Sequence, residues 1–272
     1  LLETASPPNM IEIIETYKAT VCFTAPTAYR VMLRAMEDGA DLSSLRCAVS
    51  AGETLPAPVF EEWMEKTGKP MLDGIGATEM LHIFITNRFG DSHSACTGRP
   101  VTGYEARIVD DEMNEVPRGE VGRLAVRGPT GCRYLADDRQ ADYVKDGWNI
   151  TGDSFWQDED GYFHFAARND DMIISSGYNI AGPDVEAALL AHPDVLECAV
   201  VGAPDEERGQ IVEAHVVLVE DAQPSEATVL RLQNHVKDTI APYKYPRRIV
   251  FTDALPKTQT GKIQRFMLRK AN

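Results

Sequence analysis

The chain has 272 residues, 43% hydrophobic and 25% charged, so it is long and apolar enough to build a sizeable globular core. Its net charge of -15 excludes the basic face that a nucleic-acid binder needs. No apolar stretch approaches the ~20 residues of a membrane span, and no signal peptide is visible. Five scattered cysteines (Cys22, Cys47, Cys96, Cys132 and Cys198) form no Cys-x-x-Cys pair, so reduced thiols in a cytoplasmic protein are expected. Cys22, Cys47 and Cys198 lie in apolar runs and are expected to be buried. The chain opens at Leu1-Leu2-Glu3 without methionine and runs straight into a helical pattern, which reads as a fragment of a longer protein.

Taken in order, residues 8–19 form an amphipathic helix pattern, with Met10, Ile13, Ile14 and Tyr17 on one face. A buried strand at residues 21–23, a helix at 28–36, a strand at 45–49, a helix at 56–66 and a short strand at 71–72 follow. This alternation predicts a parallel α/β sheet. After about Cys96 the style changes. Strand-like runs at 104–109, 122–127 and 162–166, separated by Gly, Pro and Asp, predict a β-rich subdomain. From about Asp171 a third pattern begins, with strands at 172–175, 195–201, 214–219 and 248–251 and helices at 183–191 and 226–239. It has the size of an α+β domain of about 100 residues. The expected organisation is α/β plus α+β. Residues 1–96 are the remainder of a layered α/β subdomain and 97–167 the β-rich subdomain. Residues 168–171 are a hinge, and 172–272 a small mobile C-terminal domain.

Several loops carry candidate chemistry. Ser50-Ala51-Gly52-Glu53-Thr54 follows a buried strand, and ligands of parallel sheets sit beyond the carboxyl ends of strands. A plain strand-to-helix turn is the competing reading. In Asp73-Gly74-Ile75-Gly76-Ala77-Thr78-Glu79, two glycines leave room for a ring or phosphate near the backbone. Thr78 offers a hydroxyl and Glu79 a hard oxygen ligand for magnesium. The competing reading is a glycine-rich turn before a helix, capped by Thr and Glu. Thr151-Gly152-Asp153 reads as a tight turn whose Asp153 carboxylate could accept two hydroxyls of a ribose, or as plain turn chemistry. Arg168-Asn169-Asp170-Asp171 suits a hinge or a solvated linker. Leu255-Pro256-Lys257-Thr258-Gln259-Thr260-Gly261-Lys262 concentrates positive charge in an acidic chain, and Lys262 could meet a phosphate; ordinary surface is the alternative.

In this order the motifs resemble those of the AMP-forming acyl- and aryl-CoA ligases, the adenylate-forming superfamily. They are Phe23-Thr24-Ala25-Pro26-Thr27, Ala51-Gly52-Glu53, Gly74 to Glu79, Thr151-Gly152-Asp153, Arg168 to Asp171, Ser176-Gly177-Tyr178 and Leu255 to Lys262. The run from Asp73 to Phe84, and Pro242 to Arg247, look most like the benzoate and aminobenzoate branch. The resemblance implies a two-step reaction on a small-molecule carboxylate. The carboxylate attacks the α-phosphate of ATP, giving an acyl-adenylate and pyrophosphate; the C-terminal domain rotates, and the coenzyme A thiol attacks the adenylate. By carry-over, Gly52, Glu53 and Thr54 line the adenine slot, and Asp73, Gly74, Ile75, Gly76 and Ala77 cover its other face. Thr78 touches the α-phosphate, Glu79 holds Mg2+, and Asp153 and Arg168 hold the ribose. Asp170 is the hinge and Lys262 the adenylation lysine. Ser176, Gly177 and Tyr178 lie by coenzyme A. Ala25, Tyr29, Ile75, Gly76, Met80 and His82 are the acyl-pocket candidates, with a satisfied core histidine the competing reading of His82 and core aromatics that of Tyr29 and Phe84.

Three departures accompany the likeness. The glycine-rich phosphate loop of the family lies upstream of Leu1, Ala167 stands where glycine is usual, and Asn179 stands where many members carry Arg or Lys. Two other readings follow: a non-catalytic module binding nucleotide or a partner, and an adenylation domain loading a carrier protein. No carrier-domain serine motif follows Asn272. Homo-oligomerisation is left open.

Overall fold

The computed structural model describes residues 6–36, 40–169, 171–258 and 262–270. The chain divides into two units, Leu1–Phe165 and Ala166–Asn272.

In the first unit α1 (Pro7–Tyr17), β1 (Val21–Thr24), α2 (Pro26–Ala35), β2 (Cys47–Ala51), α3 (Ala57–Thr67) and β3 (Met71–Gly76) alternate. Each of these helices has proline in its first turn, where the missing N–H costs nothing. Gly68, at φ 62°, ends α3 in the left-handed conformation. β1, β2 and β3 are parallel, as the alternation predicts. The pattern then breaks. A 3-10 turn (Thr78–Met80) reverses the chain, and β4 (Ile83–Thr86) returns antiparallel on β3, with β5 (Arg99–Pro100) antiparallel on β4. Ile14, Tyr29, Met32, Leu33, Phe60 and Trp63 close one core with Cys22, Ala48 and Met71 of the strands.

A second sheet is built from β6 (Glu105–Val109), β7 (Gly122–Arg127), β8 (Val144–Lys145), β9 (Trp148–Gln157) and β10 (Phe163–Arg168), with the short α4 (Arg139–Tyr143) before β8. Its order is β10-β9-β7-β6, with β8 on β9. Ile108, Leu124, Val126, Phe155 and Phe163 share a core with Met80, Phe84 and Ile85 of the first sheet. The turn expected at Thr151-Gly152 is a bulge inside β9. Ile150 faces Ala125 and Ser154 faces Arg123, so three residues oppose Leu124 alone. Gly152, at φ 78°, absorbs the extra length.

The second unit contains β11 (Ile173–Ser175), β12 (Tyr178–Ile180), α5 (Gly182–Leu190), β13 (Val195–Asp205), β14 (Gly209–Leu218), α6 (Glu226–Thr239), β15 (Arg248–Phe251) and α7 (Arg265–Lys270). β13 and β14 form the long central hairpin; β11 and β15 share the other edge of β14. The Ser225 hydroxyl caps α6 by accepting from Thr228 N–H. Val185, Leu189, Leu232 and Val236 of the helices pack on Val200, Val212, Ala214 and Val216. All five cysteines are free, and all but Cys132 are buried. Among the described residues no helix is long and apolar enough to cross a membrane.

Candidate functional site

The loops after β1, β2 and β3 lie at the carboxyl ends of three parallel strands, the edge where such sheets bind ligands. Thr27, in the first turn of α2, ties the first two loops together. Its hydroxyl donates to Glu53 Oε2 at 2.7 Å, and its N–H reaches the same oxygen at 3.4 Å. Glu53 thereby places a carboxylate at the amino end of α2, where the helix dipole favours it.

Beside it lie buried polar atoms without partners. Ser50 Oγ, Glu53 Oε1 and Asp73 Oδ1 are shielded from solvent and make no hydrogen bond. Ser50 and Asp73 face one another across the β2–β3 pair. Burial pushes the Asp73 carboxyl up to about 7, against the opposing pull of Ser50 and the Gly74 N–H. Buried polar groups are normally paired, so three unpaired atoms at adjacent strand ends are the chemistry of a binding edge. Gly52 and Thr54 are exposed beside them.

The glycines of Asp73 to Glu79 leave room for the chain itself. A Cβ on Gly76 would come within 2.6 Å of the His82 carbonyl, and one on Gly74 within 3.0 Å of the Ile83 side chain. The space they leave admits the returning β4 of the same chain. Ala77 leads into the turn that holds Thr78, exposed, and Glu79, half-buried. Leu81 closes this turn at φ 67°, a conformation few non-glycine residues adopt. Glu79 Oε1 accepts the Tyr134 hydroxyl at 2.7 Å.

Among the acyl-pocket candidates, Ala25, Ile75 and Gly76 retain some exposure at this edge. Two others are corrected. Tyr29 is fully buried, packs edge-on to Trp63 at 5.0 Å and donates its hydroxyl to Cys22 O at 2.7 Å, so it is a core residue, as is Phe84. Met80 is likewise fully buried, between the two sheets. The reading of His82 as a satisfied core histidine is also corrected. His82 is exposed and meets Phe23 edge-on at 6.0 Å.

Asp153 is buried at the bulge of β9, its N–H directed at Thr151 Oγ1 at 3.3 Å. Arg168 is exposed at the end of β10. Asp170 lies outside the described residues. Its neighbour Asp171 pairs with Arg269 of α7.

In the second unit Ser176 and Gly177 are the two central residues of the β11–β12 hairpin, with φ of 50° and 82°. Both values are those of a type I′ turn, which glycine favours at its second position. Arg208 donates to Ser176 Oγ at 3.0 Å, and Tyr178 stacks on Tyr243 at 4.6 Å. Asn179 is exposed on β12. The loop bearing Lys262 has a defined stem. Thr258 N–H donates to Lys262 O at 2.8 Å, Lys262 N–H to Thr258 Oγ1 at 3.1 Å, and Gln264 N–H to Pro256 O at 2.8 Å. Residues Gln259, Thr260 and Gly261 lie outside the described residues. Two ion pairs flank this stem. Lys257 pairs with Glu197 at 2.8 Å, and Arg265 grips both oxygens of Glu186 at 2.8–2.9 Å. Glu186 Oε1 also accepts Val200 N–H at 2.8 Å.

Sequence reading missed Tyr134 and Tyr143 beside Glu79, and the acidic anchors Glu186 and Glu197. None stands in a recognisable spacing; only the aromatic content of residues 134–143 could have drawn attention. Among the described residues no group of three or more His, Cys, Asp or Glu could hold a metal ion. A single half-buried carboxylate such as Glu79 still fits magnesium, which takes one or two carboxylates and fills its shell with water and substrate phosphates.

The sequence matches the AMP-binding enzyme family over residues 2–134 and the AMP-binding enzyme C-terminal domain over residues 184–262. It is 40% identical to a benzoate–CoA ligase of Thauera aromatica over 275 residues, covering all of this chain and 52% of that protein. It is 38% identical to mouse mitochondrial acyl-coenzyme A synthetase ACSM3, covering 96% of this chain and 47% of that one. Among solved structures, the anthranilate CoA ligase AuaEII in complex with anthranoyl-AMP superposes with a TM-score of 0.93 at 42% identity, over all of this chain and 54% of that one. The chain thus spans about half the length of the relatives it matches.

Proposed function

Because the chain belongs to the AMP-binding enzyme family, we propose that it is part of an AMP-forming ligase that converts an aromatic carboxylate to its coenzyme A thioester through an acyl-adenylate. The carrying observation is the set of unpaired buried polar atoms (Ser50 Oγ, Glu53 Oε1 and Asp73 Oδ1) at the carboxyl ends of β2 and β3, next to the Thr78–Glu79 turn. Relatives named for benzoate and anthranilate support the aromatic assignment.

In the first step the carboxylate attacks the α-phosphorus and pyrophosphate leaves. Such chemistry asks the protein chiefly for positioning and for positive charge where negative charge gathers. Gly52, Glu53 and Thr54 on one side, and Asp73 to Ala77 on the other, bracket the base. Asp73 is well placed to answer a donor of the ring, which would relieve its orphaned oxygen. Thr78 donates to the α-phosphate. Glu79 is the residue that would hold Mg2+, whose charge offsets that of the phosphates. Asp153 accepts from the ribose hydroxyls and Arg168 adds a donor there. Lys262 brings its ammonium to the carboxylate and α-phosphate oxygens. Ala25, Ile75, Gly76 and His82 face the acyl group. Asp170 is the pivot between half-reactions, and Ser176, Gly177 and Tyr178 guide the thiol arm of coenzyme A.

The test is a separation of half-reactions in the full-length protein, with benzoate as the acid. Lys262→Ala is expected to abolish benzoate-dependent ATP–pyrophosphate exchange while largely sparing thioester formation from synthetic benzoyl-adenylate. Equal loss of both counts against the role of Lys262. No thioester from any aromatic or medium-chain acid refutes the function itself.

A further inference from the structure

The segment 132–143 meets the turn that carries Glu79. Tyr134 donates its hydroxyl to Glu79 Oε1 at 2.7 Å. Tyr134 is itself held: its N–H donates to Gln140 Oε1 at 2.8 Å, and Arg139 stands 5.0 Å from its ring centre. Arg139 is in turn gripped by Asp137 at 2.6–3.0 Å. Tyr143, at the end of α4, meets the Tyr134 ring edge-on at 5.7 Å and 75°.

The Tyr143 hydroxyl is shielded from solvent and has no hydrogen-bond partner. A buried hydroxyl with its hydrogen bond unmade is costly, so it calls for an occupant. Burial first, and then the charges of Glu79 and Asp153 among its neighbours, push its pKa up, which keeps it a donor at every working pH. Those two carboxylates are the ones assigned to magnesium and ribose. A neutral donor packed against the tyrosine that holds Glu79 is suited to an oxygen of the sugar–phosphate segment.

We propose that Tyr134 and Tyr143 belong to the nucleotide site. Tyr134 is a positioning residue that fixes the Glu79 carboxylate by occupying one oxygen and leaving the other for the metal. Tyr143 donates to an oxygen of the ribose–α-phosphate segment of the bound nucleotide. The assignment rests on the role proposed above for Glu79 and Asp153, and both tyrosines lie with those residues in the first unit.

The experiment uses the full-length protein with Tyr134→Phe, Tyr143→Phe and, as reference, Glu79→Gln. Calorimetric titration with AMP in the absence of metal reads Tyr143. One hydrogen bond to a charged or polar nucleotide oxygen corresponds to about a tenfold weaker Kd in Tyr143→Phe. Pyrophosphate exchange titrated with Mg2+ reads Tyr134. Tyr134→Phe is expected to raise the half-saturating Mg2+ severalfold and leave metal-free AMP affinity unchanged. Unchanged AMP affinity in Tyr143→Phe overturns its assignment, and an unchanged Mg2+ titration in Tyr134→Phe overturns the other. A purely structural role would weaken AMP, Mg2+ and coenzyme A together with a lowered thermal midpoint, and that outcome also overturns the proposal. If Glu79→Gln itself leaves the Mg2+ titration unmoved, the reading of Glu79 fails. If Glu79→Gln moves it and Tyr134→Phe does not, the inference fails alone. Should Tyr134→Phe not fold, AMP binding by Tyr143→Phe still decides whether the segment belongs to the site.

Discussion

Replacing Asp73 by Asn probes the carboxyl end of β3 with no ligand present. Asp73 is 8% exposed, and its carboxyl is pushed from 3.8 to about 7 in the fold, chiefly by burial. The unfolded chain therefore ionises this group near pH 4 while the folded chain keeps it neutral until about pH 7. Between those values the folded state holds more protons, so stability falls as pH rises, and the loss levels off above about pH 7. A shift of about three units at 1.36 kcal/mol each sets the full loss near 4 kcal/mol. Asn keeps the shape and cannot ionise. The Asp73 carbonyl, which accepts Asn87 N–H at 2.9 Å and the Thr86 hydroxyl at 2.8 Å, is untouched by the change. All three tryptophans, Trp63, Trp148 and Trp156, lie in the first unit, so their fluorescence follows its unfolding alone. Urea titrations at pH 4, 5.5, 7 and 8 should show Asp73→Asn and the parent chain nearly equal at pH 4. The variant should become more stable by up to about 4 kcal/mol at pH 8, or roughly 10 °C in Tm for a unit of this size. Taking the difference cancels carboxyls such as Asp41 and Asp137, held low by Lys18 and Arg139, whose contributions are complete above about pH 4. A difference that stays flat from pH 4 to 8 would falsify the account of Asp73 as a desolvated carboxyl.

Gly76→Ala drives a Cβ to within 2.6 Å of the His82 carbonyl, so β3 and β4 must part; a cost of roughly 1–3 kcal/mol is expected from urea titration, with pyrophosphate exchange falling further because the Thr78–Glu79 turn moves. A variant as stable and active as the parent would show that the strands yield freely there. Arg265→Met strips Glu186 of its bidentate partner and leaves a nearly buried carboxylate with Val200 N–H. Allowing for the partial exposure of Arg265, the loss is roughly 2–4 kcal/mol, and amide exchange at Thr258, Lys262 and Gln264 should quicken as the stem of the Lys262 loop loosens. Unchanged exchange there would assign the pair to the α5–β13 core alone.

The periodic parts of the fold were legible because a helix or strand that buries one face must write that face into its sequence. α6 matches its expected bounds of 226–239, and β6 and β7 lie on their predicted runs. β9 was hidden by its own composition. Thr-Gly-Asp is turn chemistry, yet here the ladder continues past it and converts the glycine's positive φ into a bulge. β4 was hidden differently. Its four residues, Ile83 to Thr86, are too short an apolar run to announce a strand, and the run from Asp73 to Phe84 drew attention for its likeness to a ligand-binding motif.

The same limit governs the site. Most site residues expected from sequence stand in loops next to strands, where short-range spacing carries their meaning. Those missed act across long separations: Tyr134 reaches Glu79 from 55 positions away, and Arg265 reaches Glu186 from 79. A single hydrogen bond of that kind leaves no local pattern, because its partner is supplied by topology. The hydroxyl of Tyr29 shows the converse. Its apolar neighbours predict burial, but only the parallel pairing of β1 and β2 brings together Cys22 O, which accepts from it, and Val49 N–H, which donates to it. A polar atom on a core residue can therefore be a closed structural contact, as in Tyr29, or an open one awaiting a ligand, as in Tyr143. Their exposure patterns alone do not separate the two cases. The presence of a partner does, and the unpaired oxygens of Ser50, Glu53, Asp73 and Tyr143 support the proposed site through their place beside its loops, since Arg99, Arg107 and Ser175 also carry unpaired buried atoms.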